Sequence, residues 1–121
     1  GNEIRQITHD HSLVEEMVRL GKLTQEEGRN HPDKNIITRA IGAEETVTVD
    51  CFEEKTGIRD VILLCSDGLT NMVSNEQIQQ IIKTEKSLQK TAESLVDAAN
   101  RNGGRDNITV LLISRKSNEV K

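Results

Sequence analysis

The spacing of apolar and polar residues predicts four β-strands of two kinds. Residues 3–8 and 46–52 alternate apolar and polar side chains, which is the period of a half-buried strand. Residues 60–66 (DVILLCS) and 107–114 (NITVLLIS) are nearly continuous apolar runs, which are typical of strands buried on both faces. The chain therefore carries signals for both half-exposed and fully covered strands.

Two short helices are predicted between the first two strands. Ser12 and Thr24 each lie three residues before a glutamate, and this spacing is the pattern of a capping box at a helix start. Because glycine favours the backbone conformation that ends a helix, we expect Gly21 to end the first helix and Gly28 the second. The polar residues 28–35 then form a loop.

Two longer helices are predicted between the two apolar strands. Ser74, followed by Gln77, caps a helix that carries isoleucines three and four positions apart. Another helix covers residues 87–101 and ends before the glycine pair 103–104. Because strands and helices do not alternate strictly, we expect an α+β fold with helices packed on antiparallel sheet, and a doubly wound parallel sheet is disfavoured.

Composition narrows the classes of function. A net charge of -4 offers no basic footprint for nucleic acid or an anionic membrane. No apolar run approaches the roughly 20 residues that a membrane-spanning helix needs. The only two cysteines, Cys51 and Cys65, are too few for a small disulfide scaffold, so we expect reduced core thiols and a cytoplasmic protein.

Two aspartates flank the two most apolar strands. Asp67 directly follows one of them, and Asp106 directly precedes the other. If these strands are antiparallel neighbours, the two carboxylates converge at one edge of the sheet, where they suit a hard divalent cation. Gly68 and the glycine pair 103–104 allow tight turns beside the site.

A structural interpretation of the same aspartates competes with the metal interpretation. Asp-Gly is a common turn pair, and Asp106-Asn107 after two glycines is ordinary loop chemistry. Composition and spacing do not decide between a turn and a ligand site.

Other polar candidates have simple structural roles. His9 and His11 could share a face and chelate a metal. Because no third ligand accompanies them, we favour surface or hydrogen-bonding roles for both, and the same holds for His31. Arg39 could contact a substrate phosphate as a bidentate donor. We favour an internal salt bridge for Arg39, supporting the preceding helical segment.

Four blocks of the chain resemble the carboxyl-terminal half of bacterial type 2C metal-dependent serine/threonine phosphatases, the PPM family. The blocks occur in the family's order and are residues 7–14 (ITHDHSLV), 35–42 (NIITRAIG), 63–70 (LLCSDGLT) and 103–110 (GGRDNITV). The resemblance covers nearly all of residues 1–121 and implies a four-layer α-β-β-α sandwich with antiparallel sheets.

The resemblance also implies a function and a set of site residues. It implies dephosphorylation of phosphoserine and phosphothreonine proteins, those of a cognate serine/threonine kinase, by a metal-activated water with two or more Mn²⁺ or Mg²⁺ ions. Asp67 and Asp106 take the positions of metal ligands, and we expect Asn107 to orient Asp106 or a water at the metal. Residues 12–35 take the position of a helical flap linked to substrate access.

The resemblance is incomplete. The chain begins with Gly1 instead of methionine and lacks the family's amino-terminal blocks, so we expect a fragment that needs the missing half or a second copy. No catalytic residue is assigned in it, and we expect the isolated chain to bind metal weakly and to be inactive. Two alternatives remain: a non-catalytic partner-binding fragment and a phospho-acceptor receiver domain.

Overall fold

A computed structural model describes residues 3–34 and 36–115 and divides the chain into two units. The described part of the first unit consists of residues 3–4 and 54–115, and the second unit is Arg5–Glu53. The second unit contains helices α1 (Leu13–Arg19) and α2 (Gln25–Arg29). The first unit contains, in order, β1 (Val61–Cys65), α3 (Asp67–Thr70), α4 (Asn75–Thr84), α5 (Leu88–Arg101) and β2 (Val110–Ser114).

The two predicted apolar strands form a two-stranded antiparallel sheet. Val61 pairs with Ser114 at one end, and Cys65 pairs with Val110 at the other. The end of β1 therefore lies beside the start of β2, as the interpretation of the two aspartates requires. Antiparallel pairing also differs from the βα alternation of a receiver domain.

Only one face of this sheet is covered, which corrects the prediction that both strands are buried on both faces. The inner face packs against the helices through Leu63, Cys65, Val110 and Leu112. On the other face, Leu64 is 49% exposed and its partner Leu111 is 55% exposed. The helices of this unit pack against the inner face alone, so the outer apolar side chains stay in contact with water.

The core of the first unit lies between the inner face of the sheet and helices α3, α4 and α5. Its buried members are Leu69, Val73, Ile78, Leu95, Ala98 and Ala99. Ser74 and Ser87 cap α4 and α5, and each hydroxyl accepts a hydrogen bond from a first-turn amide. Each large aliphatic side chain buried here contributes about 1.5–3 kcal/mol. These contacts fix the elements that flank the two aspartates.

The second unit is built on two short capped helices. Thr24 and Glu27 form a complete capping box, whereas Ser12 accepts from the Glu15 amide without the reciprocal bond. Gly21 follows α1 with a φ of 81°, as expected for a residue that ends a helix. Gly28 does not end α2, which continues to Arg29; it is buried, and a Cβ there would press against Val14 and Val18 of α1.

The predicted strands at residues 3–8 and 46–52 are wrong. Neither segment belongs to a strand among the described residues, and Val47 and Val49 are exposed. An alternating segment becomes a strand only when a neighbour supplies a hydrogen-bonded ladder, and neither segment has one in the described part of the chain.

Cys51 and Cys65 do not form a disulfide, as expected, but only Cys65 packs against the core. Cys51 is exposed, which corrects its assignment to the core, because the segment that carries it is not in a sheet. Within the described ranges, no helix combines the length and apolar character that crossing a membrane requires.

Candidate functional site

The first aspartate lies where a strand passes directly into a helix. Asp67 is the first residue of α3, and Ser66 is the only residue between it and β1. Sequence reasoning predicted a turn here, but Gly68 lies inside α3 and has ordinary helical geometry. Asp67 is exposed at the edge of the sheet.

The second aspartate lies on the loop that joins α5 to β2. Gly103 and Gly104 have φ values of 135° and 51°, which only glycine adopts readily, and they turn the chain back toward the sheet. The Asn102 side chain donates a 2.8 Å hydrogen bond to the carbonyl of Met72, which fixes the start of this loop. Asp106 follows three residues after the first of these glycines and is exposed.

Ser66 joins the two segments directly. Its hydroxyl donates to the carbonyl of Asn107 at 3.1 Å and accepts from the amide of Thr109 at 3.0 Å. Its own amide donates to the carbonyl of Thr109 at 3.0 Å, which extends the sheet ladder beyond Cys65 and Val110. The residue before Asp67 is thereby bonded to the residue after Asp106.

Gly68 also brings helix α3 close to the segment after Asp106. A Cβ built on Gly68 would collide with the carbonyl oxygen of Asn107. The glycine is therefore needed for close backbone contact beside the aspartates, and its lack of a side chain matters more than its conformational freedom.

The two carboxylates differ in the bonds they make. One oxygen of Asp106 accepts a 2.7 Å hydrogen bond from the Asn107 amide, which orients the side chain. The side-chain carboxylate of Asp67 has no hydrogen-bond or ion-pair partner among the described residues, whereas its backbone carbonyl accepts from the Asn71 amide. Oxygen donors at an exposed sheet edge suit Mg²⁺ or Mn²⁺.

The donor set is nevertheless small. The described residues contain no group of three or more histidine, cysteine, aspartate or glutamate side chains that could hold a metal ion. Asp67 and Asp106 would therefore supply at most two ligands of a divalent cation, and the rest of an octahedral shell would have to come from other donors.

A separate charged cluster lies in the second unit, around Asp50. One carboxylate oxygen of Asp50 accepts from Arg39 at 2.9 Å, and the other lies 2.8 Å from Nε2 of His11. Arg39 also donates to the carbonyl of Thr48 at 3.1 Å. The hydrogen bonds from Arg39 and then His11 hold the pKa of the Asp50 carboxyl below its ordinary value of 3.8.

This cluster accounts for Arg39 and for one of the histidines. Arg39 makes the internal salt bridge expected of it, and His11 has the expected hydrogen-bonding role. His9 packs edge-on against Phe52 at a ring distance of 6.1 Å, and Nδ1 of His31 accepts from the Asp33 amide at 3.0 Å. None of these three histidines forms part of a metal-ligand group within the described chain.

Sequence reasoning missed two residues of functional interest, Ser66 and Asp50. Both bond to partners far away in sequence: Ser66 lies 43 positions from Thr109, and Asp50 lies 39 positions from His11. A serine after an apolar strand or an aspartate in an alternating segment has no local pattern that marks such contacts.

The chain matches known proteins over most of its length. The family model described as protein phosphatase 2C matches residues 1–108. The serine/threonine phosphatase stp of Listeria welshimeri is 49% identical over 114 residues, a match that covers 94% of this chain and 45% of that relative. The chain spans about half the length of the curated relatives it matches.

Solved structures agree with these matches. The crystal structure of serine/threonine phosphatase Stp1 from Staphylococcus aureus is 36% identical, with a TM-score of 0.90 over 95% of this chain and 45% of that one. The catalytic domain of the phosphatase PstP, solved in complex with 2 manganese ions, is 37% identical, with a TM-score of 0.73 over 91% of this chain and 44% of that one. The chain belongs to the protein phosphatase 2C family.

Proposed function

We propose that this protein takes part in removing phosphate from phosphoserine and phosphothreonine proteins, with Asp67 and Asp106 as ligands of Mn²⁺ or Mg²⁺. The observation that carries the proposal is the antiparallel pairing of β1 with β2, which brings the segments of two exposed aspartates to one sheet edge. The relatives named as serine/threonine phosphatases supply the reaction class.

The chain's own residues have distinct tasks in this proposal. Asp67 and Asp106 supply negatively charged oxygen ligands, and the Asn107 amide orients the second of them. A bound divalent cation supplies Lewis-acid stabilisation of charge on the phosphoryl oxygens and lowers the pKa of a water. Gly68 keeps the two ligand segments close.

We propose that the chain supplies only part of the complete site. Two carboxylates leave most of an octahedral shell open, and Mg²⁺ in such sites is completed by water, further carboxylates or substrate phosphate. The matched relatives are about twice as long as this chain, so the remaining ligands have a natural source in the part of the family fold that it does not match.

The exposed sheet face fits this interpretation. Ile62, Leu64, Leu111 and Ile113 share one face of the sheet, and the last three are exposed. Such a face is typical of one half of a sheet-on-sheet sandwich. We propose that residues 1–121 correspond to the carboxyl-terminal part of a four-layer α-β-β-α sandwich, completed by the missing half or by a second copy.

We propose a flap role for the second unit's helical segment, residues 12–35, of which Asn35 lies outside the described residues. Helices α1 and α2 pack together through Gly28, which is the packing expected of a flap that moves as one short helical hairpin. In this proposal, the ion pair between Arg39 and Asp50, which both follow this segment in the chain, would support it. The substrates would be phosphoproteins of a cognate serine/threonine kinase. Cysteines that are not joined in a disulfide are consistent with a cytoplasmic protein.

Metal binding at the two aspartates can be tested by nuclear magnetic resonance on the ¹⁵N-labelled chain. Paramagnetic Mn²⁺ at millimolar concentration should broaden the amide signals of residues 66–68 and 105–108, and excess Mg²⁺ should restore them. Asp67→Asn and Asp106→Asn should each weaken the effect by at least tenfold, because each removes a charged ligand. Asp97→Asn, on an exposed position of α5, removes the same charge and is the matched control.

The same samples test the claim that the site is incomplete. With Mn²⁺ and a phosphothreonine peptide, the chain should release no phosphate above the buffer background. Broadening that survives Asp67→Asn and Asp106→Asn would refute the ligand assignment. Robust turnover that Asp67→Asn abolishes would instead support the ligands and refute the partial site.

A further inference from the structure

We propose that Ser66 is a positioning residue of the metal site, which holds the Asp67 and Asp106 segments at a fixed separation. The inference rests on the proposed function, since it concerns how two proposed ligands are placed. Ser66 itself need not touch metal or substrate. Its role follows from three hydrogen bonds between Ser66 and the segment after Asp106, one to Asn107 and two to Thr109.

The three bonds lie at the point where the chain brings the ligands together. The Ser66 hydroxyl bonds to the Asn107 carbonyl at 3.1 Å and to the Thr109 amide at 3.0 Å, and the Ser66 amide bonds to the Thr109 carbonyl. Asp67 follows the serine directly, and Asp106 lies one residue before Asn107. A displacement of either backbone must therefore stretch at least one of these bonds.

The hydroxyl of Ser66 behaves differently from those at the other helix starts. In α1, α2, α4 and α5, a serine or threonine hydroxyl accepts from an amide of the helix's own first turn. Ser66 occupies the same position before α3 but makes no such bond. Its hydroxyl bonds instead to the loop before β2, and these bonds hold that loop beside Asp67.

Gly68 limits how the two segments can relax. Because α3 already lies against the Asn107 carbonyl, the loop cannot move closer to the helix. Movement away from the helix is opposed by the Ser66 hydroxyl bonds and by the backbone ladder. Removing the hydroxyl leaves the ladder bond and frees the Asn107 carbonyl, so the Asp106 segment gains freedom in that one direction.

The loss of a group that orients metal ligands typically weakens metal affinity by about 10- to 100-fold. We expect Ser66→Ala to raise the Mn²⁺ concentration needed for half-maximal broadening at Asp67 and Asp106 by about tenfold or more. Ser66→Thr keeps the hydroxyl and suits the extended backbone at this position, where φ is -80° and ψ is 167°, so it should restore most of the affinity.

Ser74→Ala is the matched control. It also removes one serine hydroxyl at a helix start of the same unit, but that hydroxyl bonds only to the Gln77 amide. It should lower the unfolding temperature without changing Mn²⁺ broadening. Amide hydrogen exchange adds a readout without metal: Ser66→Ala should speed exchange at Thr109, and Ser74→Ala should not.

The outcomes separate this inference from the proposed function. Absence of broadening at Asp67 and Asp106 in the unaltered chain would refute the metal site and, with it, the role of Ser66. Broadening there that Ser66→Ala leaves unchanged would refute the positioning role alone. Loss of folding in Ser66→Ala would also overturn the proposal, since the serine would then be needed for folding and not for placing ligands.

Discussion

Asp50 joins three separate parts of the second unit through its carboxylate. It accepts from Arg39 and His11 and lies two residues after the Thr48 carbonyl, to which Arg39 also bonds. The side-chain hydrogen bonds from Arg39 and then His11 stabilise the charged form of this carboxylate, so its pKa falls. The ion pair therefore contributes stability only while Asp50 is ionised.

The sign of the pH dependence follows from this lowered pKa. The contribution of Asp50 should be fully present above pH 3.8, its ordinary value, and should disappear as the pH falls through the lowered folded-state pKa. A ¹³C titration of the carboxyl carbons should find that Asp50 titrates below its ordinary value of 3.8. Asp50→Asn should remove this acid-dependent part of the stability, and titration of Asp50 at or above 3.8 would contradict the assignment.

Gly68 carries a second residue-scale prediction. Gly68→Ala adds a methyl group that collides with the Asn107 carbonyl, and such overpacking costs about 1–3 kcal/mol. Helix propensity alone would make the alanine variant more stable by up to roughly 1 kcal/mol. A loss of stability would therefore indicate the collision with Asn107. The measurement is the free energy of unfolding in urea.

Gly57→Ala is the control for this substitution. A Cβ there would meet only the Asp60 carboxylate at 3.5 Å, which is ordinary contact, and its φ is not positive. It should change stability by no more than about 0.5 kcal/mol. Equal stability of the two variants would show that α3 does not lie against the Asn107 carbonyl.

At the scale of elements, the helices were predicted better than the strands because helix signals are local. Ser12, Thr24 and Ser74 were predicted as N-caps from the sequence and are observed as N-caps. Ser87 was predicted only as the start of the last helix, and it is the N-cap of α5. A helix satisfies its hydrogen bonds within one segment, so its capping residues and apolar spacing identify it. The four-residue helix α3 was missed because it is shorter than the spacing that reveals a helix.

Of the four predicted strands, only the two that pair with each other are observed among the described residues. The apolar runs became β1 and β2 because each is the other's partner, and the prediction that they are antiparallel is confirmed. The alternating segments 3–8 and 46–52 have the side-chain pattern of strands without a ladder in the described chain. Pairing depends on distant residues, so the pattern could suggest these strands but could not establish them.

The same limit applies to the candidate site. From the positions of Asp67 and Asp106 beside two apolar strands, we predicted that their segments meet if the strands are antiparallel neighbours, and that pairing is observed. The Ser66 bonds depend on side-chain direction within the turn into α3, which no periodicity records. The proposal that both aspartates bind metal rests on the family resemblance and on the exposure of the two carboxylates.

At the scale of the whole molecule, buried apolar residues are distributed unevenly between the two units. Within the described chain, Val14 is the only buried hydrophobic residue of Arg5–Glu53, whereas the first unit buries six. Hydrogen bonds in the second unit are mostly at exposed positions, including those of Asp50. Burial of apolar surface is the main favourable term in folding, so resistance to local opening should be just as uneven.

Amide hydrogen exchange measures this difference residue by residue. The amides of α5 near Leu95 and the β1 amides that bond to β2 should exchange slowest, because their opening requires disruption of the main core. The amides of α1 and α2 should exchange at least tenfold faster after correction for intrinsic rates. Leu95→Ala removes a fully buried side chain and should speed exchange in α5, whereas Leu88→Ala, at an exposed position of the same helix, should have little effect. If α1 were protected as strongly as α5, the stability of the second unit would have to come from contacts other than its own buried residues.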